Sequence, residues 1–210
     1  MELSKEGYIK FECSLAEKNF DFPEEDYTAL ETWRHLLYKQ KLIGIYPDGI
    51  GFGNISIRYK MTDQFIISAS ATGKFELLEK KQYSMVTEYN FDSNSLSCEG
   101  WSKASSESLS HAAVYESVRS VNGVIHIHNR PLWDRIKNIL PTTSETVPYG
   151  TPEMATEIRE RIKEHKLTEG VVVMGGHEEG IISFGRNLEA AGNQLLELLR
   201  SNRFSDNNGR

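Results

Sequence analysis

Val121-Asn122-Gly123-Val124-Ile125-His126-Ile127-His128 is the stretch on which the reading of this chain turns. Its β-branched residues and its alternation predict a β-strand, in which successive side chains point to opposite faces. His126 and His128 then share one face, and Ile125 and Ile127 share the other. Two imidazoles placed two residues apart on a strand sit about 7 Å apart and can converge on one metal ion if further ligands close the site. The competing reading is a pair of partly buried histidines satisfied by polar neighbours, and the tripeptide alone does not decide between them.

Outward from that strand, elements of both kinds alternate. Upstream, Ser105 or Ser106 can cap a helix reaching about Arg119, with Glu107 in its first turn. Before it, Ser84 to Tyr89 and Ser95 to Glu99 flank Phe91-Asp92-Ser93-Asn94, a suitable hairpin turn. Phe65-Ile66-Ile67-Ser68 and Ile55-Ser56-Ile57-Arg58-Tyr59 read as strands, the latter entered through the glycine-dense Pro47 to Asn54. Asp26 to Gln40 carries Leu30, Trp33, Leu37 and Tyr38 at helical spacing, while residues 1–22 show no clear periodicity. Downstream, Thr151-Pro152-Glu153 opens a helix to about Lys166, with threonine as N-cap and proline at the first helical position. Val171 to Met174 and Ile181 to Phe184 are short apolar strands, Asn187 caps a last helix to about Arg200, and the tail Ser201 to Arg210 is expected to fray. The hairpin rules out a purely parallel sheet. The expected fold is a layered α/β/α single domain over 1–210 with a mixed, largely antiparallel central sheet and a core from about 27 to 200.

Composition narrows the function classes. The chain has 210 residues, 39% of them hydrophobic and 26% charged, as in an ordinary globular protein able to bury a core without staples. The net charge of −6 and the lack of a clustered Lys/Arg tract argue against nucleic acid or a basic membrane patch as partner. An anionic substrate would need local backbone N–H groups or a metal. Cys13 and Cys98 read as two free thiols rather than a disulfide framework. The opening residues lack a basic region followed by an apolar stretch, and no apolar run approaches the roughly 18 residues that cross a bilayer, so the expected location is cytoplasmic.

A catalytic zinc site has three protein ligands and an open position. His177, in the glycine-rich Gly175 to Gly180 connection, is the best third candidate; its other reading is a loop histidine facing solvent. His111 and His35 lie on helix faces and should pack or hydrogen-bond locally, and His165 falls in the last turn of a helix, where a cation is mildly favoured. Glu107 is the carboxylate singled out for chemistry, although an acid in a first turn also stabilises a helix by itself. Glu178 and Glu179 are rival acids, expected to be solvated. Gly51-Phe52-Gly53-Asn54, Ala71-Thr72-Gly73-Lys74 and Ser105-Ser106 are three segments whose backbone N–H groups can cradle an anion, the last with help from a helix dipole.

Together these segments resemble the class II aldolase/adducin family, and fuculose-phosphate-type aldolases in particular. Gly53-Asn54-Ile55-Ser56 is similar to the family's Gly-Asn-Ile-Ser element and Thr72-Gly73 to its Ser/Thr-Gly loop. Ser105-Ser106-Glu107 resembles its Ser-Ser-Glu signature, with His111 on the helix that follows; His126-Ile127-His128 resembles its His-x-His strand, and Gly176-His177-Glu178-Glu179-Gly180 its later histidine turn. The resemblance covers about residues 27–200. It implies one divalent ion per subunit, usually Zn2+, held by His126, His128 and His177. It also implies Glu107 as acid/base or resting-state ligand, and phosphate held at Asn54, Gly73, Ser105 and Ser106. The ion would polarise a carbonyl and stabilise the adjacent enediolate, with Glu107 moving the proton. Family members are commonly cyclic homotetramers.

The implied activity is a metal-dependent aldolase-type lyase that makes or breaks a C–C bond in a small hydroxy-carbonyl compound, including phosphorylated sugars. Epimerase, dehydratase and decarboxylase reactions use the same metal site. Glutamate at position 107 favours the aldolase over the ribulose-phosphate 4-epimerase type, which carries aspartate there. A non-catalytic adducin-like interaction domain is disfavoured by the three retained histidines, and a zinc hydrolase has only Glu107 in its favour. One departure stands out. Between His128 and Tyr149, the segment Asn129 to Pro148 carries Trp133 but no tyrosine, whereas fuculose-phosphate-type enzymes have a catalytic tyrosine there. Tyr149 does not match it, and no tyrosine follows Arg200, so the resemblance assigns no substrate.

Overall fold

The computed structural model describes residues 11–205; the first ten residues and the tail 206–210 lie outside the described residues. The chain runs β1 (Glu12–Glu17), α1 (Glu24–Lys39), β2 (Gly44–Ile45), β3 (Gly51–Phe52), β4 (Asn54–Arg58), β5 (Phe65–Ser68), β6 (Tyr83–Asn90) and β7 (Ser95–Gly100). It continues through α2 (Ser108–Ser117), β8 (Gly123–His128), α3 (Arg130–Ile136), α4 (Pro152–Glu164), β9 (Gly170–Val173), β10 (Gly180–Gly185) and α5 (Leu188–Ser205). Eight strands form one sheet in the order β1-β7-β6-β5-β4-β8-β10-β9, and β2 and β3 form a small separate ribbon. All neighbours in the large sheet are antiparallel except β1 and β7. The mixed, largely antiparallel α/β expectation holds.

Alternation along the strands divides the core in two. On β5, Phe65 and Ile67 join the cluster under α2 and α4, whereas Ile66 joins the cluster under α1, α3 and α5. Strand β8 does the same: Val124 faces α2 and α4, while Ile125 and Ile127 are fully buried on the other side. Each such isoleucine contributes about 1.5–3 kcal/mol of burial free energy, so the register of β8 is pinned by its apolar face. A slip of one residue would turn the histidines into the wrong layer.

Two elements lack a strong sequence signal. Strand β1 arises in the segment read as aperiodic; Cys13 and Leu15 pack inward while Glu12 and Ser14 face out, too short an alternation to stand above its surroundings. Its Cys13 and Cys98 of β7 are free thiols with sulfur atoms 3.6 Å apart. Helix α3 occupies part of Asn129 to Pro148, with the Asn129 side chain accepting from Leu132 N as N-cap.

Three boundaries also differ. Helix α1 starts earlier, behind Pro23, with Glu24, Glu25 and Asp26 in its first turn, where acids favour the dipole. Glu107 is itself the N-cap of α2, which ends at Ser117 rather than near Arg119; Ser105 instead accepts from Glu107 N and Ser108 through its side chain and carbonyl. Helix α5 passes Arg200 and continues to Ser205. The expected caps Thr151 and Asn187 do accept hydrogen bonds, from Met154 N and Ala190 N. Among the described residues, no helix is long and apolar enough to cross a membrane.

Candidate metal centre

Strand β8 delivers His126 and His128 to the face shared with α2 and α4, their ring centroids 4.9 Å apart. The turn between β9 and β10 brings His177 to within 5.1 Å of the first ring and 4.7 Å of the second. This turn is tightly built. His177 N donates to Met174 O, Gly180 N donates to His177 O, and Met174 O also accepts from the indole N–H of Trp133 on α3. The three histidines are buried, and one ligand atom from each lies within 4.8 Å of the others. Of the two readings open to His177, the solvent-facing one is therefore wrong: it is 3% exposed.

Burial, and then the neighbouring imidazoles, push the protonation of His126 and His128 well below the ordinary histidine range. Neutral imidazole is the form that binds a metal. The buried Nε2 of His126 has no hydrogen-bond partner among the described residues. A buried nitrogen lone pair without a donor costs free energy that a cation would offset, so the donor set fits a divalent ion.

Glu107 is 2% exposed and places Oε1 3.8 Å from His177 Nδ1. Its other oxygen accepts from the Ser110 hydroxyl at 2.7 Å, one turn along α2. Asn54 pairs directly opposite His126 in the β4–β8 register, with its amide nitrogen 3.5 Å from His126 Nδ1. Read from sequence as an anion contact, Asn54 is thus also a neighbour of the histidine cluster.

The three anion-cradle segments meet in one cavity of about 430 Å³, lined by Gly51, Gly53, Asn54, Thr72, Gly73, Lys74, Ser105, Ser106, Glu107 and His126. Their convergence has identifiable causes. A bridge between Ala69 and Ala104 and a bond from Ser70 N to Lys103 O bring the loop after β5 against the approach to α2. Gly73 packs so closely on the β2–β3 ribbon that a Cβ would lie 2.0 Å from Gly44 O. Arg34, 1% exposed on α1, donates to Glu76 O, Thr72 O and Phe75 O and so fixes the 72–76 loop from beneath.

Other predicted residues fall elsewhere. His111 is buried outside the histidine cluster; its Nδ1 lies 2.6 Å from Ser56 Oγ, as expected of a residue that hydrogen-bonds to its surroundings, while its Nε2 has no partner among the described residues. His35 faces Glu76 at 3.9 Å, and His165 is the C-cap of α4. Glu178 is exposed and pairs with Arg130, but Glu179 is not simply solvated: it accepts from the Tyr46 hydroxyl at 3.0 Å, and that hydroxyl lies 2.7 Å from His128 Nδ1. Tyr149, which matched no expected position, stacks on His177 with centroids 4.3 Å apart. Tyr46, Tyr149 and Arg34 carry no local pattern that marks them; each is brought in by a loop or a helix face.

The layered α/β domain thus carries a buried three-histidine cluster that could hold a metal ion, beside a helix-start glutamate and a glycine-lined cavity. Residues 48–204, well over half the chain, match the family model "Class II Aldolase and Adducin N-terminal domain", and the chain belongs to that family. Among solved structures it is similar to an L-fuculose 1-phosphate aldolase (TM-score 0.65, 18% identity, 90% of each chain covered). It is also similar to a sugar-phosphate aldolase from Thermotoga maritima (TM-score 0.66, 12% identity, 89% of this chain and 97% of that one). A third is YgbL from Klebsiella pneumoniae, described under the alternatives aldolase/epimerase/decarboxylase (TM-score 0.66, 16% identity, 89% and 91%). At these identities the likeness establishes the fold. Comparison with curated protein sequences gives no significant match.

Proposed function

We propose that this protein is a metal-dependent aldehyde-lyase of the class II aldolase type, acting on a small hydroxy-carbonyl substrate that carries an anionic group such as a phosphate. The observation that carries this reading is the convergence of His126, His128 and His177, all buried, with Glu107 alongside and the anion cavity adjoining. In this reading the three histidines hold one divalent ion, and Zn2+ is the metal proposed because three protein ligands with one open position is its usual catalytic arrangement. Bound there, the ion supplies Lewis acidity that polarises the substrate carbonyl.

The chain's own residues do the rest. Backbone N–H groups around Asn54 and Gly73, with Ser105 and Ser106 ahead of α2, bind the anionic end and fix which carbon faces Glu107. Glu107 takes and returns the proton on the carbon next to the carbonyl, and Ser110 holds its second oxygen so that Oε1 stays aimed at the cluster. Residues 1–210 are read as one domain of this type, working as a homotetramer in the cytoplasm on a small molecule, without nucleic acid or membrane as partner. A second reading keeps the site and changes the outcome to epimerisation, dehydration or decarboxylation; the alternatives carried by the YgbL neighbour favour keeping it.

Metal analysis of protein purified without added metal tests the first half, with about one divalent ion per chain expected. NMR of hydroxy-carbonyl phosphates in D₂O tests the second, through metal-dependent C–H exchange and retro-aldol cleavage. Exchange or another conversion without cleavage across a broad panel would reject the lyase in favour of the second reading.

A further inference from the structure

The Tyr46 hydroxyl touches both His128 Nδ1, at 2.7 Å, and Glu179 Oε2, at 3.0 Å. A phenol has one hydrogen to give, and an ionised carboxylate only accepts. The hydrogen of Tyr46 is therefore committed to Glu179, and toward His128 the same oxygen offers a lone pair. His128 must then donate from Nδ1, which leaves its lone pair on the buried Nε2. We propose that Tyr46 and Glu179 are positioning residues that fix His128 as the Nδ1–H tautomer, aiming Nε2 at the cation. This rests on the metal reading given above.

The surroundings hold this relay rigidly. Tyr46 is held by a turn in which its N–H donates to Ile50 O and its carbonyl accepts from Gly49 N. Its ring packs on Phe52 with centroids 4.4 Å apart, and Phe52 in turn lies 5.5 Å from the His128 ring. Glu179 has a positive φ of 70°, and its carbonyl accepts from Asn129 N, next in the chain after His128. One turn thus supplies both His177 and the acceptor that orients His128, so the two ligands are set together. Tyr46 and Glu179 line a different cavity from the one containing Glu107. His128 lines the same cavity as they do, so Tyr46 and Glu179 stand apart from Glu107 and reach the histidine cluster through that ligand. Partners of this kind raise ligand basicity and fix ring orientation, and their loss costs about 10–100-fold in metal affinity.

The test uses the full chain, ¹⁵N-labelled on histidine, and two variants, Tyr46→Phe and Glu179→Ala. Long-range ¹H–¹⁵N spectra of metal-free protein read the tautomer, and competition with a chelator reads the affinity for Zn2+. Wild type should show His128 as Nδ1–H. Glu179→Ala frees the Tyr46 hydrogen to point at Nδ1, so His128 should switch toward Nε2–H, an effect that a purely structural role for Glu179 would not produce. Both variants should bind Zn2+ about 10–100-fold more weakly, and the double variant no more weakly than the worse single one, because both act along one chain. An Nε2–H tautomer in wild type, or unchanged Zn2+ affinity in both variants, overturns the proposal. Wild type that takes up no Zn2+ instead sinks the metal reading, and the tautomer spectra still decide whether the relay exists.

Discussion

His111 and His126 are both completely buried on the same side of the sheet, and the difference between them shows what separates a structural histidine from a candidate ligand. His111, on α2, shares a hydrogen bond through Nδ1 with Ser56, whose hydroxyl also meets Tyr115 at 2.8 Å; its Nε2, like that of His126, has no partner among the described residues, but it stands outside the histidine cluster. Burial alone lowers its pKa, to about 3. His126 shares its space with two more imidazoles, and their mutual repulsion adds to burial. Packing three rings that would repel one another if charged has no stabilising logic in an apolar core, whereas a cation between them reverses the sign of the interaction. Burial of a histidine is therefore uninformative by itself; convergence of several is the signal.

The largest test of this contrast removes the cluster. In His126→Ala/His128→Ala, bound metal should fall from about one ion per chain to background by elemental analysis, and turnover should vanish with it. Metal retained at full stoichiometry in that variant would break the comparison outright. Glu107→Gln should leave the fold intact and lower kcat by about 10²–10⁴-fold, the range for a lost general acid/base. Steady-state kinetics on whichever substrate the D₂O screen identifies would measure it.

Two smaller effects concern stability. Arg34→Ala leaves three loop carbonyls without their donor and should destabilise the protein by about 2–4 kcal/mol in urea unfolding, with KM rising as the 72–76 loop loosens. His111→Ala should cost about 2–3 kcal/mol through a cavity and a broken hydrogen bond, yet bind metal at wild-type stoichiometry. Loss of metal in that variant would erase the distinction drawn above.

The last effect is a slope, small over any single pH unit. His111 has a folded pKa depressed from 6.5 to about 3, so the unfolded state binds the proton more readily. Its contribution to stability is present above pH 6.5 and is lost as pH falls toward 3, at up to about 1.4 kcal/mol per pH unit. Compared with His111→Asn in metal-free protein, wild type should show this extra one-proton dependence in chemical unfolding between pH 6 and 4. Parallel slopes would mean that His111 is protonated in the native state.

The amino-acid sequence by itself determined the strand at 123–128 and the opposite faces of its histidines and isoleucines, because alternation is a local property of extended backbone. The same holds for the caps at Thr151 and Asn187, which act within four residues of themselves, and for the order of motifs that marks the family. Tertiary structure alone decided what meets those histidines. The β4–β8 register set Asn54 opposite His126, and the packing of Arg34 and Gly73 drew three loops into one cavity. A surface turn carried Tyr46 to His128, and the start of α4 laid Tyr149 on His177. The physical reason is range: periodicity reports which face a residue occupies, whereas partners across a sheet or between loops depend on hydrogen bonds and close packing between segments far apart in the chain.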